Sequence, residues 1–116
     1  MGATVVIIDD DERFRSLVRN LLSRRGFSVV AETADGASGA AAIDRHNPNC
    51  ALVDVHLPDT DGYELAARLR RRHPKLAILV TSIDADLADV PTVPGVRFVT
   101  KDRIADADLG ALFTAG

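Results

Sequence analysis

Short apolar runs recur along this chain, and each is bounded by polar or turn residues. They are Val5-Val6-Ile7-Ile8, Cys50-Ala51-Leu52-Val53, Ala77-Ile78-Leu79-Val80 and the looser Val96-Arg97-Phe98-Val99. Runs of this length and type fit strands buried on both faces, as in a parallel sheet. A fifth segment, Phe27 to Glu32, alternates in part and suits an edge strand. The connections between runs are too long for hairpins and right for helical crossovers. The expected architecture is therefore α/β: a doubly wound, five-stranded parallel sheet with helices on both faces.

Helical patterns fill the intervals. Phe14, Leu17, Val18, Leu21 and Leu22 follow the spacing of one helical face, and Gly26 after Arg24 and Arg25 marks its end. A second, alanine-rich helix is expected from Ala37 to Arg45, closed by Asn47-Pro48. A third is expected from Thr60 to Arg72, stopped by His73-Pro74. A last helix is expected from Asp102 or Arg103 to about Phe113. Between Ser82 and Val96, Pro91 and Pro94 leave room for a short or irregular helix only.

The 116 residues suit one domain, 1–116, with one core. A hydrophobic fraction of 47% excludes a disordered tail, and no apolar run approaches the ~20 residues that span a bilayer. The net charge of −3 leans against direct nucleic-acid binding. Met1-Gly2-Ala3-Thr4 has no basic region of the secretory kind. Cys50 is the only cysteine, which excludes an internal disulfide and points to a reducing, cytoplasmic setting. Of 14 basic residues only Lys75 and Lys101 are lysines, so each invites a reason.

Ligands of open α/β sheets bind outside the carboxyl ends of the strands. Here those ends carry Asp9-Asp10-Asp11, Asp54, Thr81-Ser82 and Lys101. Crowded carboxylates repel one another and favour a divalent cation, and Mg²⁺ takes such oxygen ligands alongside phosphate. An Asp can attack phosphorus to give an aspartyl phosphate. Phosphoryl transfer then asks for charge on the equatorial oxygens, which Mg²⁺, the Lys101 ammonium and the Thr81 hydroxyl could supply.

Each residue is ordinary when taken alone. An acidic run before a helix usually caps it, and Asp11 is expected to do so. A strand-end Asp is commonly a turn residue. The convergence of all of them on one crevice favours the chemical reading. His46, His56 and His73 lack the spacing of a zinc site, and Cys50 reads as a small buried hydrophobe. The arginines from Arg68 to Arg72 read as a solvated helix end, and Gly36-Ala37-Ser38-Gly39 lacks a dinucleotide fingerprint.

Four stretches in this order resemble the receiver domain of two-component response regulators, of the chemotaxis-regulator kind. They are Val5 to Asp11, Ala51 to Leu65, Leu79 to Ser82 and Phe98 to Lys101. The resemblance covers Ala3 to about Phe113. It implies a flavodoxin-like strand order of 2-1-3-4-5 and a phosphoryl group accepted by Asp54. It also implies Mg²⁺ held by Asp9, Asp10, Asp54 and the backbone carbonyl of His56. Lys101 would pair with the phosphoryl group, Thr81 would be drawn onto it, and Phe98 would turn inward as the switch aromatic. The donor would be a phosphohistidine on a histidine kinase or phosphotransfer protein. The chain would catalyse only this transfer and its own dephosphorylation.

The output would be a protein target, or a DNA-binding domain absent from this chain, with no membrane insertion and a homodimer left open. Asp102 stands where the family usually has Pro, and Phe98 lacks a hydroxyl. The eroded helix before the fifth strand puts the family's usual dimer face in question. Two other readings compete. One is a receiver-like interaction module that works without phosphorylation. The other is a small haloacid-dehalogenase-like phosphatase, against which Arg13 stands where Thr or Val is expected. A stand-alone regulator is the favoured expectation.

Overall fold

Cys50–Asp54 is buried at every residue, and it forms the central strand of the sheet. The computed structural model, which describes residues 2–83 and 93–114, contains five parallel strands. In chain order the elements are β1 (Thr4–Ile8), α1 (Glu12–Arg24), β2 (Ser28–Thr33), α2 (Gly36–His46), β3 (Cys50–Asp54), α3 (Gly62–Arg72), β4 (Ala77–Ser82), β5 (Val96–Thr100), a 3₁₀ turn (Lys101–Arg103) and α4 (Leu109–Thr114). The strand order is β2-β1-β3-β4-β5, so the winding reverses between β1 and β3. The fold is the flavodoxin-like one expected from the sequence.

The apolar interior is divided by the sheet rather than forming one core. Val6, Ile8, Ala51, Val53, Ile78 and Val80 face α2 and α3, where they meet Ile43, Leu65 and Leu69. Val5, Ile7, Leu52 and Leu79 face the other way, toward Phe14, Val18 and Leu22 of α1 and toward Leu109 and Phe113 of α4. Alternation along each strand produces this division, since successive side chains point to opposite faces. Cys50 lies in the second cluster, and burial pushes its thiol up to about 11, which keeps it protonated at neutral pH.

The helix ends follow local chemistry. The Asp11 carboxylate accepts the N–H groups of Arg13 and Phe14 and starts α1. Gly26, at φ +87°, turns the chain so that the Phe27 N–H reaches the Leu22 carbonyl at 3.0 Å. Within α1, Phe14, Val18 and Leu22 are buried, whereas Leu17 is 53% exposed. The expected stripe was thus too wide: a step of one residue rotates Leu17 about 100° from Val18 and off the sheet. Asn47, left-handed at φ 45°, closes α2.

Two starts differ from expectation. α3 begins at Gly62 and not Thr60, because Asp61 is its N-cap, accepting from Tyr63 at 2.7 Å and Glu64 at 3.4 Å. The last helix begins at Leu109, not near Asp102. After the 3₁₀ turn, Arg25 of the α1 cap donates to the carbonyls of Ala105 and Ala107, which holds this loop against α1. Asp108 then accepts the Ala111 N–H at 3.0 Å and starts the helix. The expected irregular helix before β5 falls on residues 84–92, outside the described residues. Among the described residues no helix is long and apolar enough to cross a membrane.

Candidate phosphoryl-acceptor site

Parallel register brings the strand-end residues together. Ile8 pairs with Val53, so Asp9 and Asp54 leave neighbouring strands side by side. Asp54 pairs directly with Thr81, and the Val55 N–H continues the ladder to the Thr81 carbonyl at 2.8 Å. Ser82 pairs with Thr100, which delivers Lys101 to the same rim. The sheet alone therefore assembles five of the expected residues: Asp9, Asp10, Asp54, Thr81 and Lys101.

Carboxylate oxygens of Asp9, Asp10 and Asp54 lie within 4.8 Å of one another. Asp9 and Asp54 are buried and Asp10 is exposed. The Lys101 ammonium sits 2.8 Å from Asp9 Oδ2 and 3.7 Å from Asp54 Oδ2, closer to the metal-type acid than to the expected acceptor. The shorter contact is an ion pair without hydrogen-bond alignment. Asp9 Oδ1 accepts the Asp11 N–H at 2.9 Å, and the Arg15 guanidinium donates to the Asp9 carbonyl at 2.6 Å. Glu32 of β2 faces Arg15 at 3.7 Å. The corner between β1 and α1 is thereby fixed from both sides.

Burial pushes the Asp54 carboxyl above its ordinary value, and the Asp9 carboxylate adds to the shift. Lys101 and the His56 N–H, 3.4 Å from Asp54 Oδ1, oppose it, while Asp10 reinforces it. Burial is the largest cause, and beside it the two acids Asp9 and Asp10 stand against the single Lys101 ammonium. A divalent cation bound by oxygen atoms would correct that imbalance. The Thr81 hydroxyl is buried without a hydrogen-bond partner among the described residues. Such a group costs about 1–3 kcal/mol, so it stands ready for an incoming acceptor.

The loop between β3 and α3 is pinned from a distance. Asp59, within the stretch Ala51 to Leu65, accepts the backbone N–H groups of Gly36 at 2.8 Å and Ala37 at 3.0 Å. Position 36 lacks a Cβ for a physical reason: one would lie 2.5 Å from Thr60 Cγ2. Gly62 is more tightly confined, since a Cβ there would lie 2.2 Å from the Asp54 carbonyl oxygen. His56 is exposed and pairs with Asp61 through an isolated bridge.

Phe98 does not join the rim. Its ring stacks on Tyr63 of α3 with centroids 6.4 Å apart, packed against the α2–α3 side cluster. Burial and the Asp61 carboxylate push the Tyr63 phenol up to about 12. Sequence reasoning missed one neighbour of the site. The Lys101 ammonium lies over the ring of Phe14, 4.4 Å from its centroid. Spacing alone places Phe14 on an apolar stripe and says nothing of the lysine.

Comparison with known proteins bears on this rim. Residues 5–106 match the family described as the response regulator receiver domain. The chain is 33% identical over 112 residues to the transcriptional regulatory protein DegU of Brevibacillus brevis, covering 93% of this chain and 48% of DegU. It is 32% identical over 108 residues to protein-glutamate methylesterase/protein-glutamine glutaminase 2 of Anaeromyxobacter dehalogenans, covering 91% of this chain and 32% of that protein. The chain thus spans less than half the length of either curated relative. The signal receiver domain of NarL from Mycobacterium tuberculosis superposes with a TM-score of 0.79 at 29% identity, covering 97% of this chain and 98% of that one.

Proposed function

The chain belongs to the response regulator receiver domain family of two-component systems, and from that membership we propose that it accepts a phosphoryl group on Asp54 and switches protein–protein contacts. The observation that carries the reading is the pairing of a buried, strand-end Asp54 with two further acids, a lysine and an unpartnered buried threonine hydroxyl. The donor is a phosphohistidine on a histidine kinase or phosphotransfer protein. The output is a downstream protein or a DNA-binding domain outside this sequence.

In the transfer, an oxygen of Asp54 forms a bond to phosphorus as the P–N bond of the donor breaks, and the electron pair returns to the donor imidazole. Lys101, already 3.7 Å from Asp54, meets a phosphoryl oxygen. The Thr81 hydroxyl gains a partner on another, which draws the β4 end toward Asp54. The donors fit Mg²⁺ because all are oxygens and too many are negative: Asp9, Asp10 and Asp54 would hold it, with the His56 carbonyl as a further ligand. When bound, the cation offsets the charge of these acids and of the phosphoryl oxygens. Added phosphate carries roughly −1.5 to −2 charges, enough to bias a two-state surface. Phe98, now against Tyr63, is the aromatic that would respond to Thr81.

The test is intact mass after incubation with acetyl phosphate and Mg²⁺. One phosphoryl group is expected on the wild type, and none on Asp54→Asn or with EDTA. Mg²⁺ at ten times its Kd should also stabilise the chain by ~1.4 kcal/mol, an effect lost in Asp10→Asn. A folded chain that takes no phosphoryl group from acetyl phosphate or from a phosphorylated histidine donor would instead be an interaction module working without phosphorylation.

A further inference from the structure

Lys101 is held by more than carboxylates. Its ammonium sits over the face of Phe14, 4.4 Å from the ring centroid, while its side chain is only 11% exposed. Phe14 is itself fixed. Its N–H donates to Asp11 Oδ1 at 3.2 Å at the start of α1, and its ring is buried among Val18, Leu22 and Ile104 in the α1–α4 side cluster. The ring thus forms a rigid floor and the lysine stem a flexible arm. An aromatic face carries negative quadrupolar density that attracts a cation, most strongly where water is excluded.

We propose that Phe14 is a positioning residue for Lys101, holding the ammonium above Asp9 and Asp54 through the charge distribution of its ring and not merely through its bulk. The two ion pairs of Lys101 are conditional. Asp9 and Asp54 are the acids that a metal would engage, and a metal would compete with the lysine for their oxygens. The ring has no competing ligand and no charge to lose. It keeps the ammonium at the rim in every state of the carboxylates, where a lysine on a four-carbon stem would otherwise swing into solvent. The consequence for phosphoryl uptake rests on the reading of Lys101 given above; the placement of the cation does not.

The test replaces Phe14 in the full chain with a graded series of fluorinated phenylalanines, which drain the ring face of negative density while keeping its shape. Two quantities are read: the NMR shifts of the Lys101 Hε protons without metal, and the rate of phosphoryl uptake from acetyl phosphate. The Hε protons should be shielded by the ring in wild type and lose shielding step by step along the series. Uptake should fall in the same order by roughly two- to thirtyfold overall, the range that ~0.5–2 kcal/mol of cation–π attraction corresponds to at 1.36 kcal/mol per decade. Thermal midpoints should stay level. Constant shielding and constant uptake across the series would overturn the proposal and leave Phe14 as a core residue. Should the wild type take up no phosphoryl group from acetyl phosphate or from a phosphorylated histidine donor, the reading of Asp54 falls. The Hε series then decides the role of Phe14 by itself: graded loss supports it and constancy overturns it.

Discussion

The Asp59 carboxylate accepts the Gly36 N–H at 2.8 Å, and a Cβ at position 36 would stand 3.1 Å from the same oxygen. The glycine and the acid thereby tie the start of α2 to the loop that follows β3. The N–H groups of Gly36 and then Ala37 hold the Asp59 carboxyl below its ordinary value. A depressed carboxyl contributes stability above its unfolded pKa of about 3.9 and loses it as pH falls through the folded value. Urea denaturation should therefore show a gap between wild type and Asp59→Asn that is constant near neutral pH and closes in acid. Gly36→Ala should cost about 1–3 kcal/mol, as overpacking does. A gap that widens in acid would contradict this assignment.

Gly62 meets backbone where Gly36 meets side chains. A Cβ at 62 would lie 2.2 Å from the Asp54 carbonyl oxygen and 2.8 Å from Val55 Cα, and the Gly62 N–H donates to the Val55 carbonyl at 2.8 Å. Neither neighbour can rotate away. Gly62→Ala should cost more than the ~1–3 kcal/mol of ordinary overpacking and should displace Asp54 itself. The urea midpoint and phosphoryl uptake should fall together, and a wild-type midpoint would show that the loop yields freely.

Asp54 has the opposite sign to Asp59. Burial and Asp9 raise its carboxyl, so the fold favours the protonated form. The stability this gives is complete below the unfolded value and is lost as pH rises through the folded one. Asp54→Asn cannot ionise. In EDTA it should therefore be more stable than wild type at pH 7, with an advantage that shrinks as pH falls toward the unfolded carboxyl range. A less stable Asn variant at pH 7 would mean that Lys101 outweighs the other acids.

Arg70 organises the approach to β5. It donates through Nε to the Pro94 carbonyl at 2.9 Å and through Nη1 to those of Leu76 at 2.8 Å and Pro74 at 2.5 Å. Gly95, at φ +81°, packs on the guanidinium so closely that a Cβ would fall 2.4 Å from Cζ. Arg70→Ala should cost about 1.5–3 kcal/mol, the scale of charge-assisted hydrogen bonds. Arg70→Lys should recover little, because an ammonium cannot reproduce the planar fork. Hydrogen exchange at the Ile78 N–H, bonded to the Gly95 carbonyl at 3.0 Å, would report the loosening directly.

What could be read from the chain and what could not divides along a physical line. Central strands such as Cys50 to Val53 are covered on both faces, so their composition announces them. The acids, Thr81 and Lys101 were legible because each directly follows such a run, and parallel register does the rest. Relationships between distant side chains left no mark in spacing. Phe14 on an apolar stripe looks like core and is core, yet it also carries a lysine from the far end of the chain. Asp59 reads as a loop acid until α2 is seen to need it. The start of α4 lies later than spacing implies because Arg25, on another element, holds the carbonyls of Ala105 and Ala107.

The placement of Lys101 at the end of β5 also sets a timetable. During synthesis the acids of β1 and β3 leave the ribosome first, and the lysine that offsets them comes from the edge strand that joins the sheet beside β4. Until β5 docks, Asp9 and Asp54 lack the ion pairs that Lys101 makes with them. A nascent or interrupted chain therefore holds these acids without their counter-charge, and on the reading proposed for Asp54 phosphoryl uptake would certify that the sheet has been finished.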